Sequence, residues 1–183
     1  VNKPIKLGFF GQFRKEKNIE RFIDAFVSLH YDNSVQLVVQ GATVKPEDGE
    51  LFESIIKKYS KYSNIKFIHA SLIGKDWDAA LMSVDALLLP YGAERYRYHW
   101  AAMLFTAIGF YKPVLISPEI NPEVLEKYSI GEVLNLDDVN TIAQGISKFV
   151  GNLQHHKEIY NQGLVDANND YSHKKLIQSV IHV

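Results

Sequence analysis

The chain has 183 residues, 46% of them hydrophobic and 22% charged, which is enough to bury one sizeable core as a single domain. Lys and Arg number 20 against 21 Asp and Glu, so the net charge of −1 supplies no global field toward nucleic acid or acidic lipid, although it leaves room for a local basic pocket. There is no cysteine, which excludes a disulfide scaffold, a thiol nucleophile and a Cys-ligated zinc, and the longest apolar run, Trp100–Phe105, falls far short of the ~20 residues a membrane-spanning helix needs.

Short apolar runs rich in branched and aromatic residues occur at Ile5–Phe10, Val35–Val39, Ile65–Ile68, Ala86–Leu89, Val114–Ile116 and Val133–Leu134. Each has the length of a strand. Helical patterns lie between them. Ile19, Phe22, Ile23, Phe26 and Leu29 recur at three- and four-residue spacing, as do Leu51, Ile55, Ile56 and Tyr59, and later Ile142, Ile146 and Phe149. This alternation predicts an α/β domain, a doubly wound, mostly parallel six-stranded sheet of Rossmann-like type with helices on both faces. Gly11 and Gly41 follow the first two strands, Pro90 closes the fourth and Pro113 opens the fifth, where a missing N–H is tolerated. From about Gln154 to Val183 the chain reads as one or two C-terminal helices, with a break at Asn168-Asn169-Asp170. Val1-Asn2-Lys3-Pro4 carries neither Met nor an apolar leader, as expected of a cut inside a longer protein or of a processed terminus.

Ligands of open parallel sheets bind beyond the carboxyl ends of the strands, where helix N-termini present free N–H groups. After the first strand comes Gly11-Gln12-Phe13-Arg14-Lys15-Glu16-Lys17-Asn18, with three cations in four positions ahead of a helix. An Arg there can clamp a diphosphate in bidentate fashion and a Lys can act as a point charge; the alternative is a solvated loop. The fingerprint G-x-G-x-x-G is absent, which argues against a nicotinamide site. After the fourth strand, Tyr91, Tyr96, Tyr98 and Trp100 crowd together with Glu94, Arg95, Arg97 and His99, just ahead of the apolar helix Ala101–Phe110. Such a cluster suits ring stacking and hydroxyl binding, or else packs its rings into a neighbour. After the fifth strand, Glu119 can accept hydrogen bonds from sugar hydroxyls, whereas Glu123 fits the N-terminus of the next helix. His155-His156 has no third ligand at metal spacing.

Together these segments resemble the C-terminal, donor-binding domain of retaining glycosyltransferases of the GT-B fold, in the large group 1 class (family 4). "IKLGFFGQFRKEKNIERFIDAF" is similar to the strand, glycine, basic loop and helix that open that domain, and "VQLVVQG" to its second strand. "VDALLLPYGAE" with "AIGFYKPVLIS" resembles the fourth strand, active-site loop, helix and fifth strand. "NPEVLEKYSIGEVLNLDDVNTIAQGISKFV" and "DYSHKKLIQSV" resemble the closing elements, so the likeness spans the chain. It implies that Gly11, Arg14 and Lys17 hold the donor diphosphate, with Gln12 where an arginine usually stands. It carries the first family glutamate, expected to contact the sugar in catalysis, onto Glu94, and the ribose-holding glutamate onto Thr106. It brings the aromatic-basic loop, Arg97 included, toward the diphosphate, with Glu119 on the sugar side.

The implied function is transfer of a sugar from a nucleoside-diphospho-sugar to an acceptor with retention, without a metal or other cofactor, in polysaccharide biosynthesis. Residues 1–183 are then a nucleotide-sugar-binding domain that lacks an N-terminal acceptor domain of the same chain and is inactive alone. The expected partners are the donor and that domain, with no nucleic acid and no transmembrane segment, and the expected place is the cytoplasm. The alternative is a degenerate glycosyltransferase-like partner or scaffold without donor binding.

Overall fold

The computed structural model describes residues 3–172. Six strands, β1 (Ile5–Phe9), β2 (Val35–Gly41), β3 (Ile65–His69), β4 (Ala86–Leu89), β5 (Val114–Ile116) and β6 (Gly131–Val133), form one sheet in the order β3-β2-β1-β4-β5-β6. Every pairing is parallel, with Leu7 opposite Leu37 on one side and Ala86 on the other. The chain reverses its direction of travel across the sheet between β1 and β4, which makes the carboxyl ends of these two strands the switch point of the fold.

Burial follows strand position. All four residues of β4 and all three of β5 are buried, as expected of central strands covered on both faces. The edge strand β3 exposes Lys66 and His69, and the edge strand β6 has no fully buried residue. The crossovers are α1 (Ile19–Ser28), α2 (Pro46–Tyr59), α3 (Gly74–Met82), α4 (Ala102–Gly109) and α5 (Pro122–Lys127), followed by α6 (Val139–His155) and α7 (Lys157–Asp170). Helix α1 packs along α6, α4 packs along α7, and helices cover both sides of the sheet. The faces that do this are the ones the spacing marked: Phe22, Ile23 and Phe26 of α1 and Ile142, Ile146 and Phe149 of α6 are all fully buried. Each such side chain contributes roughly 1.5–3 kcal/mol through removal from water.

Two boundaries differ from expectation. The last strand is Gly131–Val133, beginning before the apolar pair Val133–Leu134, because Gly131 is the residue that pairs with Val114. The break foreseen at Asn168–Asp170 comes at the very end of that segment: helix α7 runs through Asp170 and gives way to a turn at Tyr171, and a further interruption separates α6 from α7 at His156. The final helix expected beyond Ser172 lies outside the described residues. Among the described residues no helix is long and apolar enough to cross a membrane.

Candidate functional site

The loops after β1, β4 and β5 meet the start of α4 at the switch point, and each is fastened by a different device. Gly11 ends β1 with φ +118°, a conformation a side chain would strain. Its N–H donates to Gln40 Oε1 at 2.8 Å and its carbonyl accepts from Ala42 N at 3.0 Å. Gln40 Nε2 in turn donates to Ala70 O at 2.6 Å, so one buried amide ties the loop after β1 to the loop after β3. Phe13, also buried, stacks on Phe52 of α2 with ring centroids 4.8 Å apart. Between these anchors Gln12 pairs with Ala42, and its Oε1 accepts from Arg14 Nη2 at 3.1 Å. The residue that replaces the usual arginine therefore orients the arginine two positions on.

A 3-10 turn at Lys15–Lys17 then directs Lys17 inward. This residue is only 8% exposed, with Nζ 4.8 Å from the centroid of the Tyr91 ring and 5.9 Å from that of Phe9. A Cβ placed on Gly11 would stand 3.7 Å from Lys17 Nζ and 3.9 Å from Met103 Cγ, which puts the ammonium between the glycine turn and the first turn of α4. Burial lowers the Lys17 pKa to about 8, and the Arg14 and Arg95 guanidinium groups push in the same direction, while Glu16 opposes them in part. Glu16 is itself committed to Arg95, whose Nη2 lies 2.6 Å from its Oε1. Among the described residues Lys17 Nζ has neither an ion pair nor a hydrogen bond. A buried ammonium without a hydrogen bond or ion pair carries an unmet electrostatic demand, which an anion could meet.

The loop after β4 closes over this lysine. Tyr91 is buried against Phe9 and Tyr96, and burial raises its hydroxyl pKa; the hydroxyl has no hydrogen-bond partner among the described residues. Ser117 Oγ donates to Tyr91 O, and Asn121 Oδ1 accepts from Ala101 N at 3.1 Å, so the loop after β5 sets both ends of the β4–α4 segment. Asn18 and Asn121 adopt φ 56° and 37°, which Asn tolerates better than most residues. Asn18 Nδ2 donates to Pro90 O at 3.2 Å and packs over Gly92, where an added Cβ would come within 2.4 Å of it. Gly92→Ala is thus expected to displace Asn18, to cost about 1–2 kcal/mol in a urea titration and to weaken nucleotide binding several-fold. Unchanged stability and binding would show that Asn18 does not tie the two loops together.

The remaining sequence-derived residues divide. Glu119 lines a cleft of about 580 Å³ with Asn18, Arg21, Gly92, Asn135 and Asp137, and its buried Oε2 has no hydrogen-bond partner among the described residues. Glu94 opens a 3-10 turn at Glu94–Arg97 and is exposed, as is Arg97. Thr106 lies inside α4, and its hydroxyl donates to Ala102 O at 3.0 Å within its own helix. Glu123 stands in the first turn of α5, with Oε1 3.4 Å from Asn121 Nδ2, in keeping with a helix-end role. Gly11, Gln12, Arg14, Lys17 and the α4 start come together; among the described residues the side chains of Glu94 and Arg97 make no bond to them, and Thr106 reaches the α4 start only through its helix-internal hydrogen bond to Ala102. A larger cavity, about 620 Å³, lies between α3 and the β1–β3 face and holds none of these residues. No group of three His, Asp or Glu side chains among the described residues is placed to hold a metal ion.

Gln40, Asn18, Ser117, Asn121 and the Glu16–Arg95 pair were not singled out by sequence. Only Gln40 left a trace there, as a polar residue in the apolar strand "VQLVVQG".

Comparison with solved structures gives the same architecture. The C-terminal domain of a glycosyl transferase group 1 family protein from Francisella tularensis matches with a TM-score of 0.71 at 17% identity, over 91% of this chain and 85% of that one. A glycosyltransferase from Rickettsia africae matches with a TM-score of 0.79 at 13% identity, over 100% of this chain and 47% of that one. The Anabaena protein HepE, solved with UDP and glucose, matches with a TM-score of 0.76 at 14% identity, over 98% of this chain and 47% of that one. The chain thus spans about half the length of the latter two. Among curated proteins none matches by sequence. The family model described as "Glycosyl transferases group 1" covers residues 1–165, and with a sheet of the GT-B C-terminal type the chain belongs to that family.

Proposed function

We propose that this domain binds the donor of a glycosyl transfer, a nucleoside-diphospho-sugar, and holds its diphosphate between Lys17, Arg14 and the N-terminus of α4. The observation that carries the reading is the buried Lys17 ammonium, which makes no ion pair or hydrogen bond among the described residues. As the glycosidic bond loosens, negative charge grows on the departing diphosphate, and fixed cations in a water-poor site offset it more effectively than solvated ones. In this reading those cations serve in place of a divalent ion, transfer proceeds with retention, and Glu119 with Glu94 receives the sugar hydroxyls. UDP bound to the Anabaena protein of the same fold supports a nucleoside diphosphate as the ligand class. In this reading a second, N-terminal domain of the same protein completes the acceptor side of the cleft, so the donor-binding domain alone binds donor without transferring it.

The second reading, a glycosyltransferase-like scaffold without donor binding, draws on Thr106. Its hydroxyl proton is spent on Ala102 O, where the family resemblance expects a ribose-holding carboxylate. Calorimetric titration with UDP and GDP separates the two. The donor reading expects saturable binding that falls at least tenfold in Arg14→Ala and in Lys17→Ala. No binding at millimolar nucleotide would establish the scaffold. Binding of inorganic phosphate as strong as that of UDP would reduce the site to a general anion trap.

A further inference from the structure

The segment between β4 and α4 handles its aromatic rings in two ways. Tyr91 and Tyr96 turn inward and stack at 5.0 Å, whereas Tyr98 and Trp100 are 74% and 67% exposed. Trp100 is nonetheless held in place. Its ring lies 4.8 Å from that of Phe105 and 6.3 Å from that of Tyr171, and Tyr171 rests in turn on Phe105 and Tyr128. An indole packed against Phe105 and Tyr171 while two-thirds exposed presents apolar ring area to solvent with little conformational entropy left to lose. The groups beside it are polar. Arg97, His99 and the Tyr98 hydroxyl are exposed and have no hydrogen-bond or ionic partner among the described residues.

Flat rings next to unspent donors match a pyranose, which offers one face of C–H groups and a rim of hydroxyls. They match a lipid tail or an apolar protein surface less well, since either would strand those polar groups without partners. Position narrows the role. Trp100 immediately precedes the cap of α4, the helix whose first turn borders Gly11 and Lys17 Nζ.

We infer that Tyr98 and Trp100 form a saccharide-stacking subsite that holds a sugar ring of the acceptor beside the donor pocket. The acceptor role rests on the donor-binding reading; the saccharide surface itself does not. This makes the C-terminal domain a contributor to acceptor recognition rather than a donor clamp alone.

The test uses the whole 183-residue chain carrying Trp77→Phe, which keeps an aromatic ring near Phe10 and leaves Trp100 as the sole indole. Methyl α-glucopyranoside, methyl α-mannopyranoside and maltotriose are titrated against its fluorescence. A saturable spectral shift with a midpoint on the order of 1–100 mM for at least one of them is the expected result. In saturation-transfer NMR, Trp100→Ala and Tyr98→Ala should weaken that saccharide by about tenfold while leaving UDP affinity unchanged. The inference is overturned by a flat response to all three saccharides, or by equal saccharide binding in both alanine variants. It is overturned as well if phosphatidylcholine–phosphatidylglycerol vesicles bind the chain through Trp100, which would assign the patch to a lipid surface. Saccharide binding with no UDP binding would remove the donor reading and the acceptor role with it, and would uphold the stacking surface alone.

Discussion

Lys17→Met is expected to raise the stability of the free chain while lowering its affinity for a nucleoside diphosphate on the order of 100-fold. Both effects come from one circumstance, an ammonium on a residue only 8% exposed that makes no ion pair or hydrogen bond among the described residues and is only partly offset by Glu16, itself paired with Arg95. Folding displaces its pKa from 10.5 to about 8, so the protonated form is disfavoured in the native state. One pKa unit corresponds to about 1.4 kcal/mol, which sets the gain from an uncharged side chain of similar shape at roughly 1–3 kcal/mol in urea unfolding. Removal of one partner of a desolvated charge pair costs about 2–5 kcal/mol of binding, so UDP affinity should fall on the order of 100-fold by calorimetry. A Lys17→Met chain that is less stable than the parent, or that binds UDP equally well, would contradict the assignment.

The same shift fixes a pH dependence. Between about 8 and 10.5 the unfolded chain holds a proton on Lys17 that the folded chain has released. Stability from this group therefore rises with pH across that window, and the full penalty is present below pH 8. Binding runs the other way. A diphosphate favours the charged ammonium, so UDP affinity should decline as pH passes upward through about 8, and the decline should vanish in Lys17→Met.

Gln40→Leu is the second large effect. Leucine nearly matches the volume of the amide, so no cavity opens, but Gly11 N–H and Ala70 C=O both lose their buried partner. The Gly11 N–H, on a half-buried residue, costs roughly 1–3 kcal/mol when orphaned, while the exposed Ala70 carbonyl can turn to water; the loss should appear as a lower urea midpoint with an unchanged slope. The loop that carries Arg14 and Lys17 would also lose its link to the loop after β3, and UDP affinity should drop with stability. Parental stability in the Gln40→Leu variant would show that water can substitute for the amide.

The fold was readable because hydrophobic periodicity and strand burial obey the same rule. The unbroken apolar runs Ala86–Leu89 and Val114–Ile116 are the central strands, and the mixed run Ile65–Ile68 is an edge. That Gly11, Gln12, Arg14 and Lys17 lie together after β1 was readable for a similar reason, since cations next to a glycine turn are local in sequence. The depth of the lysine was not. That Lys17 lies under Tyr91, far along the chain, follows from the β1–β4 pairing, which no local pattern encodes. Glu94 and Thr106 show the converse: their sequence positions match a family pattern, but the exposed 3-10 turn and the helix-internal hydrogen bond leave neither pinned to the lysine. The end of α7 was legible for a local reason, since Asn168-Asn169-Asp170 favour a turn, and the helix stops at Asp170 once the buried Leu164 and Ala167 have been passed.

The tyrosine roof above Lys17 has a kinetic corollary. An exposed lysine must shed its hydration shell each time an anion arrives, and that shedding slows capture and dilutes affinity. Burial of Lys17 beneath Tyr91 removes much of that shell when the chain folds, so under the proposed reading an incoming phosphate would find the ammonium already partly desolvated. A small rise in the anion's own charge should therefore be felt sharply, and the pocket should rank ligands by the number of negative charges they bring to that single point.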